Sequence, residues 1–212
     1  MNNLLLRRML IQQGGSPTPP TPYDAEVEYL ISNGAYINTG IIIDSEYTIE
    51  CEYFLQGTIR ASTHQIYGSG ANYYSRNIEL YTANPNRWEL HYDGSRFDGY
   101  AAINENYKVI QNKGHVIIYN SDSSINTDYD FGVKTFTCPC AMTIFANNRN
   151  SIYVSPQPTG IKMFRMIDGN NNVVCDYKAV RSNGVGYMYD SVSQTLKGSA
   201  NANLFIIGPD IN

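Results

Sequence analysis

Glu50 and Glu52 stand two residues apart in Glu46-Tyr47-Thr48-Ile49-Glu50-Cys51-Glu52-Tyr53, so both carboxylates share one face of an extended strand. A sandwich glycosidase needs such a pair across a cleft, about 5–5.5 Å apart for retention or about 6.5–9.5 Å for inversion. Thr48 lies on the same face, however, and the three together suit an ordinary solvated strand. His64, His91 and His115 are widely separated, and the chain has neither a Gly-x-Ser-x-Gly elbow nor a phosphate-cradling glycine loop. The expectation is therefore a protein without catalytic function.

Metal chemistry has weak support. Asp122-Ser123-Ser124-Ile125-Asn126-Thr127-Asp128-Tyr129-Asp130 gathers oxygen ligands but lacks the glycine and terminal glutamate of an EF-hand, and the same residue types build turns. Cys138-Pro139-Cys140 is too tightly spaced for a zinc site and has no histidine nearby. With Cys51 and Cys175 in apolar surroundings, the cysteines are expected as free, buried thiols. No metal and no cofactor is expected.

Binding chemistry is better represented. A pyranose offers C–H faces to an aromatic ring and hydroxyls to paired donors and acceptors. The loops Asn72-Tyr73-Tyr74-Ser75-Arg76 and Asp93-Gly94-Ser95-Arg96-Phe97-Asp98 hold suitable groups, which makes Tyr73, Tyr74, Arg76, Asp93, Arg96 and Asp98 the candidate ligand-binding residues. Tyrosine-rich, asparagine-rich loops serve protein partners equally well. Trp88 alternates with Leu90 and Tyr92 and reads as core.

The elements that must position these groups are strands. Period-two alternation bounded by turn residues runs from Tyr23 onward, as in Glu46–Tyr53, Asn77–Tyr81 and Arg87–Tyr92, where Arg87, Glu89 and His91 are expected on a wet face. Further strands are expected at Lys108–Ile110, His115–Tyr119, Met142–Ala146, Ile161–Ile167, Val173–Tyr177, Val185–Tyr189 and Leu204–Ile207, with hairpin turns at Ala83-Asn84-Pro85-Asn86 and Asp168-Gly169-Asn170-Asn171-Asn172. No helical period with caps is visible. The strands imply an all-β, two-sheet antiparallel sandwich, with a closed barrel as the alternative.

The 212 residues are 42% hydrophobic but only 16% charged, with 18 tyrosines and a net charge of −4. That balance excludes a polyelectrolyte chain and gives no electrostatic footprint for nucleic acid. No apolar stretch approaches the ~20 residues that cross a bilayer, so no membrane insertion is expected. Residues 12–22, Gln-Gln-Gly-Gly-Ser-Pro-Thr-Pro-Pro-Thr-Pro, form a flexible and then extended spacer. Ahead of it, residues 1–11 include Leu4, Leu5, Leu6, Arg7, Arg8, Met9, Leu10 and Ile11. This segment is too short for a stable isolated helix and too apolar for an ordinary tail, and it reads as an anchor peptide held by a partner or sister subunit. It has no charge ahead of the leucines and no small-residue cleavage site, so it does not read as a secretory signal. Residues 23–212 then form one domain.

Tyr29-Leu30-Ile31-Ser32-Asn33-Gly34-Ala35-Tyr36-Ile37-Asn38-Thr39-Gly40 resembles the opening of concanavalin A-like, laminin-G-like jelly-roll domains found in gut Bacteroidales and their phages. Asn38 stands where that pattern carries aspartate. Asp176, Asn183 to Val192 and Gly208-Pro209 resemble its closing pattern, with Ala179 in place of a proline. The resemblance spans Glu26 to Pro209 and implies recognition or display. Asn3 to Met9 resembles N-termini of virion proteins of tailed, crAss-like phages. Together these resemblances imply a head fibre or capsid decoration protein on the virion surface. It would be made in the host cytoplasm, bind other virion proteins through its arm, form a homo-oligomer such as a trimer, and display its domain to glycans. A carbohydrate-binding module of a gut bacterium is the alternative.

Overall fold

The computed structural model describes residues 21–55, 64–72, 74–83, 87–154 and 159–211. The anchor segment 1–11, most of the spacer, Tyr73 and the turn at Asn84–Asn86 lie outside the described residues. The strands are β1 (Ala25–Glu26), β2 (Leu30–Ile31), β3 (Ile37–Asp44), β4 (Thr48–Leu55), β5 (His64–Asn72), β6 (Ser75–Ala83), β7 (Arg87–Tyr92), β8 (Ser95–Tyr100), β9 (Glu105–Asn112) and β10 (His115–Tyr119). They continue with β11 (Ile125–Asp130), β12 (Thr137–Ile144), β13 (Ala146–Asn148), β14 (Ile152–Val154), β15 (Thr159–Ile167), β16 (Val173–Ser182), β17 (Val185–Asp190), β18 (Thr195–Lys197) and β19 (Ile206–Ile207).

They form the expected two-sheet jelly-roll sandwich. The larger sheet runs β11-β10-β9-β4-β15-β16-β17-β18, with β1 on β16 and β2 between β15 and β19. The smaller runs β14-β13-β5-β6-β7-β8, and β12 joins β5 to β3. All pairings are antiparallel except the single β13–β5 contact at Asn148 and Ser69. Alternation explains the core: Ile49, Cys51, Tyr53 and Leu55 of β4 and Ile78, Leu80, Trp88, Leu90 and Tyr92 of β6 and β7 are buried between the sheets.

Rings seal one open side of the sandwich. Phe97 on edge strand β8 stacks on Tyr129 of edge strand β11 at 3.8 Å between centroids. Trp88 packs behind Phe97 at 5.7 Å, and Tyr129 leads through Phe131 and Tyr92 to Phe136. Two edges that would otherwise be exposed are thereby tied by side chains.

Four expectations change. Ser95 to Asp98 form a strand and not a loop, because Asp93 (φ 48) and Gly94 (φ 73) make a two-residue hairpin turn. Ile125 to Asp130 likewise form an edge strand, although Asp122 does build a turn by accepting from the Ser124 N–H at 2.9 Å. Met142 to Ala146 is two strands, divided at Phe145, whose φ is 65. The face of β7 expected to be wet is buried: Glu89 is 3% exposed and His91 is fully buried. All four cysteines are free thiols; Cys140 is half-buried and the other three are buried. Burial pushes the Cys138 and Cys175 thiols up to about 12.

Candidate functional site

The outward face of the smaller sheet carries a grid of polar side chains set by register. Residues directly opposite one another on paired strands point the same way, which gives the rows Gly68–Glu79–His91–Arg96, Gln65–Tyr81–Glu89–Asp98 and Ala83–Arg87–Tyr100. Charged groups on such a face normally meet water. Here the carboxylates of Glu79 and Glu89 are buried beneath arginines that stay partly exposed. The Glu79 side chain is 0% exposed and Glu89 4%, against 36% for Arg87, 37% for Arg96 and 27% for Arg149.

Each buried acid is paired. Arg149 follows β13 and reaches over the sheet, donating to Glu79 from Nε at 2.7 Å and again from Nη2. Asn77 Nδ2 adds a bond to Glu79 at 3.3 Å. Glu89 accepts from Arg87 Nη2 and from the Tyr81 hydroxyl, and lies 3.2 Å from Arg96 Nη2. Asp98 holds Arg96 through a two-point fork at 2.6 and 2.7 Å, and that guanidinium keeps the Asp98 carboxyl below its usual range. Arg87 Nη1 lies 3.4 Å from Asp98 as well.

His91 stacks on Tyr81 at 5.3 Å between ring centroids, with its Nε2 2.9 Å from the Tyr81 hydroxyl. Burial holds its pKa below the ordinary histidine value, although Glu79 and Glu89 pull the other way. Three arginines, three carboxylates and a neutral imidazole therefore sum to no net charge. The result is a lattice of paired donors and acceptors whose upper surface, Arg87, Arg96 and Asp98, is partly exposed.

The sequence candidates divide across this lattice. Arg96 and Asp98 lie on it. Tyr74, Arg76 and Asp93 gather at the adjacent hairpin ends, where Asp93 Oδ1 accepts from the Arg76 N–H at 2.9 Å and Gly94 abuts the Tyr74 carbonyl so closely that a Cβ would sit 1.9 Å from its oxygen. Tyr74 is 79% exposed. The residues that sequence reading passed over are Glu79, Tyr81, Arg87, Glu89, His91 and Arg149. The polar alternation of β6 and β7 hinted at the first five, and no sequence signal pointed to Arg149.

Glu50 and Glu52 lie elsewhere, on the outward face of the larger sheet. Glu50 pairs with Arg165 at 3.4 Å and Glu52 with Lys162 at 3.7 Å. In the acidic segment Asp128 pairs with His115 at 2.6 Å and Asp130 accepts from the Gly132 N–H at 2.7 Å. No cluster of three metal-ligating side chains occurs among the described residues.

No family model and no curated protein matches the chain. Among solved structures, it is similar to the CBM40 module of the Ruminococcus gnavus IT-sialidase bound to α2,3 sialyllactose. That likeness has a TM-score of 0.45 at 11% identity, covering 72% of this chain and 89% of that one. The native heptameric SAP-like pentraxin from Limulus polyphemus gives 0.43 at 12% identity over 92% of both chains. A tailspike protein of an Escherichia coli O157:H7 bacteriophage gives 0.41 at 10% identity, covering 72% of this chain and 27% of that one. At these identities the likeness concerns strand arrangement alone.

Proposed function

We propose that the chain is a non-enzymatic recognition module that binds glycan on the outward face of its smaller sheet. The observation that carries this reading is the set of partly exposed guanidinium and carboxylate groups of Arg87, Arg96 and Asp98, held over buried Glu89. Their rotamers are already fixed by one another, so a ligand that hydrogen-bonds them loses little side-chain entropy. Adjacent donor and acceptor atoms suit neighbouring sugar hydroxyls, each of which both donates and accepts. Catalysis is a poorer fit, because a general acid must come within hydrogen-bond reach of the scissile oxygen, and Glu79 and Glu89 lie under arginines. A glycan array on the full chain tests the reading. Saturable binding lost in Arg96→Ala, kept in Glu50→Gln and accompanied by no hydrolysis products is the expected outcome. Binding indifferent to Arg96 overturns it.

Within the same proposal, the segment Leu4 to Ile11 attaches the module to a particle, as a head fibre or capsid decoration of a tailed phage, in oligomeric form. This part rests on the sequence: six aliphatic or thioether side chains and two arginines ahead of a Gly/Pro spacer. Deleting residues 1–11 should leave the sandwich folded and abolish incorporation into virions. Unchanged incorporation defeats the anchor reading.

A further inference from the structure

The outward face of the larger sheet holds a cavity of about 880 Å³, within the ~300–1,000 Å³ range of small-molecule clefts. It lies between β4, β9, the start of β15 and the turn after β10, away from the arginine lattice. Its walls combine rings and charges: Tyr29 and Phe54, Glu28 and Glu52, Lys108 and Lys162.

The aromatic wall is built in place. Tyr29 stacks on Phe54 at 5.4 Å with only 17° between the ring planes. Two glycines make room for it: a Cβ on Gly208 would lie 2.9 Å from Tyr29 Cδ2, and one on Gly160 would lie 3.1 Å from Tyr29 Cβ. The Gly208 N–H also donates to the Tyr29 carbonyl at 2.9 Å. The ring is thus fixed before any ligand arrives, as an effective stacking platform requires.

The charges around it differ in one respect from those of the arginine lattice. Lys162 pairs with Glu52 at 3.7 Å, but the Glu28 carboxylate and the Lys108 ammonium have no ion-pair or side-chain hydrogen-bond partner among the described residues. One acceptor and one donor without such partners among the described residues therefore line the same cavity as the fixed ring. The two acids and two lysines cancel, so the cavity offers no net attraction to a polyanion. A lipid or other wholly apolar ligand would have to desolvate Glu28, Lys108 and the polar rim of Asn120 and Ser121 without compensation. A molecule with an apolar C–H face and hydroxyls that both donate and accept satisfies every group.

We infer that this cavity is a second binding site, for a neutral oligosaccharide, on the sheet opposite the arginine lattice. It stands apart from the proposed function, since it uses none of the same side chains, and a molecule with both sites would engage glycans bivalently.

An NMR titration of the full chain with cellotetraose, maltotetraose and mannotetraose, and with tetragalacturonate as the anionic comparison, tests the inference. At least one neutral tetrasaccharide should produce saturable shifts at the backbone amides of Tyr29, Lys108 and Tyr119. Glu28→Gln combined with Lys108→Ala, both at accessible positions, should weaken that binding about tenfold or more through the loss of two charge-assisted hydrogen bonds. Gly208→Ala should weaken it separately by displacing the Tyr29 ring, whereas Arg96→Ala should leave it unchanged. The inference is overturned by any of three results: no shift at those amides with any neutral sugar, tighter binding of tetragalacturonate, or affinity that survives in the double variant. Shifts confined to the amides around Arg96 and Asp98 would support the first site and reject the second.

Discussion

The outward faces of the two sheets use the same residue types to opposite ends. On the larger sheet, Glu50, Arg165 and Asp176 form a ladder across β4, β15 and β16, with side chains 20%, 35% and 27% exposed. On the smaller sheet, Glu79 and Glu89 have almost no exposure under arginines of similar exposure to Arg165. An exposed ladder gains little, because water screens it and long side chains must be ordered to form it. A buried carboxylate is different in kind: its desolvation is offset only while the overlying cation and its hydrogen bonds remain in place. The Glu50–Arg165–Asp176 ladder is a hydrated ion-pair network, whereas the smaller sheet carries a buried polar lattice.

The comparison breaks most visibly at Arg149. Arg149→Ala strands Glu79 as an uncompensated buried charge and should cost about 3–5 kcal/mol of stability in urea denaturation. Glu79→Gln together with Arg149→Met removes both charges and should recover most of that loss. If the single variant costs no more than a surface pair, Glu79 is not isolated from water and the distinction between the faces fails.

A second break comes through pH. Burial lowers the folded-state pKa of His91 below 6.5, while the unfolded chain keeps the ordinary value. As pH falls through about 6.5 the unfolded state takes up a proton that the folded state refuses, so stability falls over this window. Glu79 and Glu89 pull the other way without reversing the shift, and Arg149 adds to it. His91→Gln should flatten the pH dependence of the denaturation midpoint between the ordinary histidine value and the lower folded one. The Asp98 carboxyl, lowered by Arg96, contributes stability that is lost only as pH falls through and below 3.8. The two groups therefore separate on the pH axis.

These differences were only partly legible in the sequence. β7 and β10 match their expected bounds because the polar–apolar alternation of Arg87–Tyr92 and the short apolar run Val116–Tyr119 are both bounded by turn residues. β5 was hidden, since Gly68 and Gly70 interrupt its pattern, and β8 was masked by its charged composition even though Asp93-Gly94 is a strong hairpin signal. The burial of the lattice was not legible. Alternation assigns Glu79, Glu89 and His91 to the outward face correctly, but whether that face is wet depends on Arg149, 70 residues beyond Glu79, arriving above it. Arg96 and Asp98 were found by residue type, while their neighbours were passed over because a charged residue in a strand ordinarily means solvent.

The smallest expected effect sharpens the comparison from the other side. Arg165 donates to Asp176 at 3.2 and 3.1 Å and to Glu50 at 3.4 Å, and both carboxylates draw its pKa upward, Asp176 foremost. Geometry alone makes it look as well bound as Arg149. Its partners nonetheless retain contact with water, so Arg165→Ala should cost only about 0–1 kcal/mol, and added salt should narrow even that difference. Arg149→Ala should keep its larger penalty at the same salt concentration, because ions do not reach the carboxylate beneath it. A cost at Arg165 equal to that at Arg149 would mean that hydrogen-bond count governs these arginines, whereas a several-fold gap assigns the difference to burial of the acid.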